Sequence, residues 1–281
     1  MIEISRVHDA FELDAFLTLH AHSSAYLRSE LRRATGAFFV ARDQGRIVAA
    51  ATQAPSGMVL LQAPQCAGAV ATAVLNDSAR RLAGFFGPLV QVRSALRDMG
   101  LGQVGLLKDT AEDLFALALA DLRVPAILAQ EQVRCRVAVE SDFEHLVAWR
   151  YAFRQATLND APGEKTMLTS GADIAALLPA GSLFILEGEQ ALACCSFNAR
   201  LPGMVQIGNV WTPPALRGHG YARAVVTGAL AIARDAGVVE AVLATGRSNA
   251  AAQAAYRAIG FNVVGDYATV TLAPWTTRGV L

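Results

Sequence analysis

One stretch decides the fold of this chain: Arg217-Gly218-His219-Gly220-Tyr221-Ala222. It follows a predicted strand, Met204 to Trp211, and begins a predicted helix, Tyr221 to Ala236. A glycine-rich turn at a helix start leaves backbone N–H groups without partners, and together with the helix dipole they can bind phosphate oxygens. The two glycines permit positive φ, and the arginine adds a fixed positive charge. The pattern therefore predicts a pyrophosphate-binding loop.

A dinucleotide-binding G-x-G-x-x-G turn is the alternative interpretation of this stretch. Its third glycine position is occupied by Arg223, whose side chain would obstruct close packing of the helix on the strand. The stretch also lies late in the chain, after several strands that look antiparallel. Both features favour another kind of phosphate-binding fold.

A second motif follows after one more helix and the predicted strand Val239 to Thr245: Asn249-Ala-Ala-Ala-Gln-Ala-Ala-Tyr256-Arg-Ala-Ile-Gly260-Phe261. The first motif, Arg217-x-x-Gly220-x-Ala222, resembles the Q/R-x-x-G-x-G/A loop of the GNAT N-acetyltransferase superfamily, which binds the pyrophosphate of acetyl-coenzyme A. The second resembles that family's Asn-led helix, with a tyrosine seven residues on and a Gly-Phe ending. The two motifs in this order indicate a GNAT domain.

The resemblance implies transfer of an acetyl group from acetyl-coenzyme A by direct attack in a ternary complex, with Tyr256 as the general acid that protonates the departing thiolate. The fourth strand of the domain would bind pantetheine, and the loop would bind the pyrophosphate. The implied cofactor-binding residues are Val210, Trp211, Thr212, Arg217, Gly218, His219, Gly220, Tyr221, Ala222 and Asn249. The predicted acceptor-binding residues are Phe197, Asn198 and Arg200.

No general base carries over from the resemblance. Ala244 stands where some family members have a glutamate, and Glu187 and Glu189 are interpreted as solvated residues near a turn. At pH 7.5 an α-amine is about one-third neutral and a lysine amine about 0.1% neutral, so a site without a strong base favours the α-amine. The predicted acceptor is a primary amine of a small molecule or a peptide N-terminus.

Two other functions stay open. One is a sensor that binds acetyl-coenzyme A and transfers nothing, which the presence of Tyr256 disfavours. The other is a tandem acyltransferase that uses another acyl-coenzyme A or a larger acceptor.

The chain also contains an internal repeat, which favours duplication of one α/β unit over chance similarity of two unrelated halves. In the first matched pair, Asp9 and Ser141 each stand three residues before a glutamate, as in a helix capping box. The matched segments are Val7–Glu12 with Val139–Glu144, Gly36–Val40 with Gly181–Ile185, Gly57–Val59 with Gly203–Val205, and Arg97–Leu101 with Arg257–Phe261.

The predicted fold is therefore α/β (α+β), with two tandem GNAT-like domains, 1–130 and 131–281. Each domain is expected to have a mixed, largely antiparallel sheet flanked by helices. The first copy lacks the Arg-x-x-Gly loop after its own fourth strand, and it has Leu89 and Leu96 where the second has Asn249 and Tyr256. It is predicted to be degenerate, to bind no cofactor, and to shape the acceptor site.

Composition restricts the remaining possibilities. Of the 281 residues, 53% are hydrophobic and 17% charged, which allows well-buried cores, and the 24 basic and 24 acidic residues balance. This balance disfavours nucleic acid and anionic membranes as partners. With no apolar run of about 18 residues and no leader pattern, we expect a cytoplasmic monomer or homodimer with no membrane span. The histidine and cysteine spacing predicts no metal site, and the four cysteines are expected to be small buried residues.

Overall fold

The computed structural model describes residues 1–34, 36–103 and 105–273, and the chain divides into two compact units. The first unit comprises Met1–Leu114, Ala244–Ser248 and the segment that begins at Val263. The second comprises Phe115–Leu243 and Asn249–Asn262.

The helices and strands are numbered in chain order. The strands are β1 (Ile2–Arg6), β2 (Phe38–Asp43), β3 (Arg46–Gln53), β4 (Met58–Gln62), β5 (Gly84–Pro88), β6 (Leu106–Ala118), β7 (Arg134–Val137), β8 (Leu183–Glu187), β9 (Ala191–Leu201), β10 (Met204–Trp211), β11 (Glu240–Gly246) and β12 (Asn262–Leu272). The α-helices are α1 (Ala10–Thr18), α2 (Ala21–Arg33), α3 (Ala67–Asp77), α4 (Leu89–Asp98), α5 (Ala126–Ala129), α6 (Phe143–Leu158), α7 (Glu164–Leu177), α8 (Tyr221–Asp235) and α9 (Ala250–Ala258).

The order of these elements repeats along the chain. Each half runs strand, two helices, three strands, helix, strand, helix, strand: β1 to β6 with α1 to α4, then β7 to β12 with α6 to α9. Duplication of one unit predicts this repeat. The predicted α/β class is confirmed, since each unit has a mixed sheet flanked by helices.

The sheet of the first unit has the strand order β1-β2-β3-β4-β5-β12-β6. Strands β1 to β4 form antiparallel pairs, β4 and β5 are parallel, and β5 pairs antiparallel with β12. Helices α3 and α4 cover one apolar cluster, and α1 and α2 cover another. The burial of both faces explains the nearly continuous apolar sequence of β3 and β4.

The sheet of the second unit has the order β11-β10-β9-β8-β7, with parallel pairing only between β10 and β11 among these strands. Helix α8 packs on one face, where Val225, Val226 and Ala229 of its apolar stripe are fully buried. Helices α6 and α7 contribute to the apolar cluster on the other face. Cys194 and Cys195 belong to opposite clusters, as expected for neighbours in a strand.

The two compact units are interleaved along the chain. Val263 to Leu272 of β12 belongs to the first unit, while Phe115 to Ala118 of β6 belongs to the second. The predicted domains, 1–130 and 131–281, follow the two copies of the sequence repeat, whereas the compact units are defined by contacts in the structure. The domain boundary therefore stays a prediction.

Two helix caps were predicted from the capping-box pattern, and the structure confirms one of them. Asp9 caps α1 as predicted, accepting from the N–H groups of Phe11 and Glu12. The predicted cap at Ser141 is wrong, because the chain makes a 3₁₀ turn at Glu140–Asp142 before α6 begins. Asp142 accepts from the Val139 N–H at 2.8 Å and forms an ion pair with an arginine of β7.

Candidate active site

The predicted pyrophosphate loop lies between β10 and α8 of the second unit. Gly218 and Gly220 have φ values of 84° and 80°, which favour glycine, and Gly220 is the N-cap of α8. Among the described residues, none accepts a hydrogen bond from the six consecutive backbone N–H groups of residues 218–223. The loop therefore presents a row of free donors at the positive end of a fifteen-residue helix.

Arg217 is held at the edge of this loop by the strand that precedes it. Its Nε donates to the Thr212 carbonyl at 3.1 Å, and its guanidinium carbon lies 5.0 Å from the centre of the Trp211 ring. Next to it, His219 stacks on Tyr221 with the ring centres 5.5 Å apart. Because one nitrogen is engaged, the guanidinium keeps its position while its remaining N–H groups stay available to an anion.

The strand before the loop separates from its parallel neighbour. Pairing of β10 with β11 extends from Met204 to Gln206 and stops there. The register of β10 against β9 shifts at the same point, between Gln206 and Ile207, and a second time between Gly208 and Trp211. Asn209 lies in this bulge with a φ of 51°, an uncommon value for a residue other than glycine. The second half of β10 therefore leaves backbone groups free beside the loop.

A hydrogen-bond network holds this bulge, and the sequence interpretation did not find it. Arg150 of α6 donates to the Asn209 side-chain oxygen at 2.5 Å, and the Asn209 amide donates to Ser196 and Asn198 at 2.8 and 3.1 Å. A Cβ atom at Gly208 would lie only 2.0 Å from the Asn198 amide nitrogen. The Gly-Asn pair inside a strand was the available signal, since glycine and asparagine both mark bulges.

Two buried polar atoms at the end of β10 lack partners among the described residues: Trp211 Nε1 and Thr212 Oγ1. Such atoms are costly unless they meet a partner, so they fit a strand end at which another molecule completes the hydrogen bonds. Trp211 also lines a small apolar cavity of about 20 Å³ with Trp149 and Phe153 of α6. Val210 points the other way and packs against the cluster under α8.

Tyr256 lies on α9 and is buried in the core of the second unit, with 8% of its surface exposed. The centres of the Phe115 and Phe261 rings lie 6.3 and 6.1 Å from its own. The hydroxyl has no hydrogen-bond partner among the described residues. Burial raises the pKa of this phenol above its ordinary value of 10.0, which keeps the proton on the oxygen at neutral pH.

Asn249 is the N-cap of α9, as predicted, and its side-chain oxygen accepts from the Ala252 N–H at 3.1 Å. The amide nitrogen of this exposed side chain keeps its two donors for another partner. The residue therefore has a structural role, and its contact with a cofactor stays a prediction.

The three predicted acceptor-binding residues have different environments. Phe197 is 2% exposed and packs on Phe184, with the ring centres 4.6 Å apart. Arg200 is exposed, and its Nη1 donates to the Ala180 carbonyl at 2.9 Å. Asn198 belongs to the network under the bulge. Packing and hydrogen bonding therefore account for all three, and an acceptor contact stays a prediction for each.

The second unit offers no activated thiol as a nucleophile. Burial raises the pKa of the Cys135 and Cys194 thiols to about 12, and it raises the pKa of the Cys195 thiol well above its ordinary value. Glu187, one of the carboxylates weighed as a base, pairs with Arg136 at 2.6 Å. The chemistry of these side chains is compatible with direct attack on a bound acyl donor, without an acyl-enzyme intermediate.

The described residues contain no group of three or more His, Cys, Asp or Glu side chains placed to hold a metal ion. Within the same residues, no helix is long and apolar enough to cross a membrane.

Comparison with known proteins agrees with this geometry. Residues 144–261 match the model of the "Acetyltransferase (GNAT) family". A search of curated proteins found no match.

Similar solved structures cover nearly the whole chain. A GNAT-family acetyltransferase from Colwellia psychrerythraea is 16% identical with a TM-score of 0.54, over 96% of this chain and 100% of that one. An N-acetyltransferase from Sphaerobacter thermophilus is 15% identical with a TM-score of 0.58, over 96% and 94%. A tandem GNAT protein from the clavulanic acid biosynthesis pathway is 14% identical with a TM-score of 0.56, over 96% and 98%. Residues 144–261 thus match the GNAT acetyltransferase family model, and the chain has a fold similar to that of a tandem GNAT protein.

Proposed function

We propose that the second unit transfers an acetyl group from acetyl-coenzyme A to a primary amine of a small molecule or a peptide N-terminus. The observation that carries this proposal is the row of free N–H groups at residues 218–223, next to the point where β10 separates from β11. Charge-assisted hydrogen bonds contribute about 1.5–3 kcal/mol each, so three or four of them would anchor a pyrophosphate after the entropy cost of binding.

The orphan atoms at the strand end support the same assignment. Trp211 Nε1 and Thr212 Oγ1 lie at the end of β10, the strand that would bind the pantetheine arm, and both lack partners among the described residues. In this proposal the cosubstrate supplies the activated thioester, and the protein supplies orientation and a proton. Positioning of two reactants is by itself a large part of catalysis.

Tyr256 would supply that proton. In the proposed reaction the neutral amine attacks the thioester carbonyl, a C–N bond forms, the C–S bond breaks, and the phenol protonates the departing thiolate. The attacking nitrogen loses its extra proton to water, and the phenolate takes a proton back from water. A coenzyme A thiol resembles cysteine, whose pKa is about 8.5, so the leaving group needs only moderate help. General-acid catalysis would therefore contribute near the low end of its usual range of about 10²–10⁴.

The first unit is proposed not to bind acetyl-coenzyme A. Its helix α3 also begins with free N–H groups, but the carboxylate of Asp98 lies there, with Oδ2 3.3 Å from the position of a Cβ atom on Gly68. The loop before the corresponding helix of the second unit instead carries the cation of Arg217. A negative charge beside a helix N-terminus opposes a second anion, and the buried Leu96 can give no proton.

A titration and a turnover assay test the proposal together. Calorimetry with acetyl-coenzyme A should give one site per chain, and release of free thiol should accompany acetylation in a panel of amines and amino acids. Two equivalent sites would contradict the asymmetry of the two units.

Binding without thiol release across the panel would favour the sensor. Turnover only with longer acyl donors, or with larger amino-sugar acceptors, would favour the broader acyltransferase. The absence of any binding would refute the site itself.

A further inference from the structure

The first unit contains an open cleft of about 480 Å³. It is walled by the junction of α1 and α2, the ends of β4 and β5, the first turn of α4, and residues 264–266 of β12. Small-molecule sites commonly have volumes of about 300–1,000 Å³. The cleft lies where β4 continues to Gln62 beyond its last parallel partner with β5, Leu60. It therefore has the size and the sheet position of a ligand site.

Two glutamine side chains on the wall are held with their amide nitrogens unpaired. The Gln91 oxygen accepts from the Ala63 N–H at 2.6 Å, which fixes the orientation of its amide. Gln62 is 1% exposed, and its oxygen accepts from Ser23 at 2.8 Å and Ser24 at 3.4 Å. Neither amide nitrogen has a partner among the described residues. Both glutamines therefore keep NH₂ donors for a molecule in the cleft.

The charges around the cleft select against an ionised ligand. Among the described residues that line it there is no lysine or arginine, and the one carboxylate, Asp266, is bonded to Arg247. Arg247 also pairs with Asp113 at 2.9 Å, so one cation serves two carboxylates and the group keeps an excess negative charge. His20 at the entrance is partly desolvated, which lowers its pKa and favours the uncharged imidazole at neutral pH. A phosphate or carboxylate would meet no lysine or arginine among the described lining residues and would face this excess negative charge, while an ammonium would face two NH₂ donors.

We propose that this cleft binds a small uncharged molecule through a carbonyl group, an amide in particular, which accepts hydrogen bonds from Gln62 and Gln91. Apolar side chains on the same wall, those of Leu19, Pro88 and Leu114, would contact the carbon skeleton of the ligand. The inference does not depend on acetyl transfer, because every residue that carries it belongs to the first unit.

Three probes test the proposal on the full chain without acetyl-coenzyme A: N-acetylglycinamide, which is neutral, N-acetylglycine, an anion of nearly the same size, and glycinamide, a smaller cation. The measurement is the NMR shift of the side-chain NH₂ signals of Gln62 and Gln91 during titration. We expect saturable shifts with the neutral amide alone. No shift with the neutral amide, or equal affinity for the anion, would overturn the proposal.

Gln91→Glu is the matched variant. A carboxylate keeps the acceptor for the Ala63 N–H, so the fold should persist, but it replaces the donor by a negative charge. A lost hydrogen bond changes affinity by about 3- to 10-fold, so the neutral amide should weaken at least that much while glycinamide gains affinity. Gln91→Met, which has no charge, should weaken the neutral amide without any gain for glycinamide. Unchanged affinity for the neutral amide in both variants would show that the NH₂ group does not contact it.

Discussion

Replacement of Gly220 by valine should separate loss of the pyrophosphate site from loss of the fold. Gly220 has a φ of 80°, and an added Cβ atom would lie 3.0 Å from Nη2 of Arg223, the far end of a flexible side chain. The variant therefore has space, but its backbone is strained by about 1–2 kcal/mol. When the loop changes conformation to relieve that strain, the N–H groups at the start of α8 no longer point at the bound pyrophosphate.

The loss of affinity follows from the number of donors displaced. If two of the six free N–H groups no longer reach the anion, about 3–6 kcal/mol of charge-assisted hydrogen bonding is lost. The Kd for acetyl-coenzyme A should then rise by about 10²–10⁴-fold. The melting temperature should fall by only a few degrees, since about 1–2 kcal/mol is a small perturbation for a chain of this size.

Gly237→Val is the control for this prediction. Gly237 lies at the other end of the same helix, has a φ of 89°, and has no atom within 4 Å of an added Cβ. The backbone strain is similar, but no ligand is expected there. Calorimetric titration and thermal melting should show equal stability loss in the two variants and weakened binding only in Gly220→Val. Wild-type affinity in Gly220→Val, with a lowered melting temperature, would refute the loop assignment.

Three further predictions concern the proton donor, the bulge and an ion pair. Tyr256→Phe should lower turnover by about 10- to 100-fold at neutral pH, while its affinity for acetyl-coenzyme A stays within a few-fold of wild type. If its steady-state kinetics with a competent amine match those of wild type, the phenol is not the general acid. Arg150→Met keeps the bulk of the side chain but removes its hydrogen bond to Asn209, so the bulge should relax. The Kd for acetyl-coenzyme A, measured by calorimetry, should rise by about 3- to 10-fold, and an unchanged Kd would show that the network does not affect cofactor binding. The hydrogen bond from Arg136 lowers the pKa of Asp142 below 3.8, so the ion pair stabilises the folded protein above pH 4 and this contribution is lost as the pH falls through the folded pKa. Asp142→Asn should therefore unfold at a lower urea concentration than wild type at pH 7, and the difference should shrink in acid.

The elements that depend on local sequence patterns could be predicted from the sequence alone. The strand Met204–Trp211 was predicted with its observed bounds, and the helix from Tyr221 was predicted one residue too long. The cap at Asn249 and the positive φ of Gly220 follow from side-chain and backbone preferences of single residues. Such features require no knowledge of distant neighbours.

Features that depend on contacts across the sheet could not be predicted in the same way. Asn209 is left-handed because Arg150, 59 positions away, holds its side chain, and no local pattern links the two. Ser141 matched a capping box, but Asp142 forms the cap interaction because Arg136 of β7 attracts its carboxylate. The cleft in the first unit was missed because its glutamines look like ordinary polar residues until the oxygen of each is seen to be engaged.

The position of β12 affects how the protein can be made. Val263 to Leu272 forms the last strand in the described part of the chain, yet it pairs with β5 in the first unit, between residues 84 and 88. The first unit cannot complete its sheet while the ribosome is still synthesising the second, so β5 has an unpaired edge until residues 263–272 have been translated. A nascent chain stalled before residue 263 should remain dependent on chaperones. A gene split at residue 130 should yield two insoluble fragments rather than two separately folded domains.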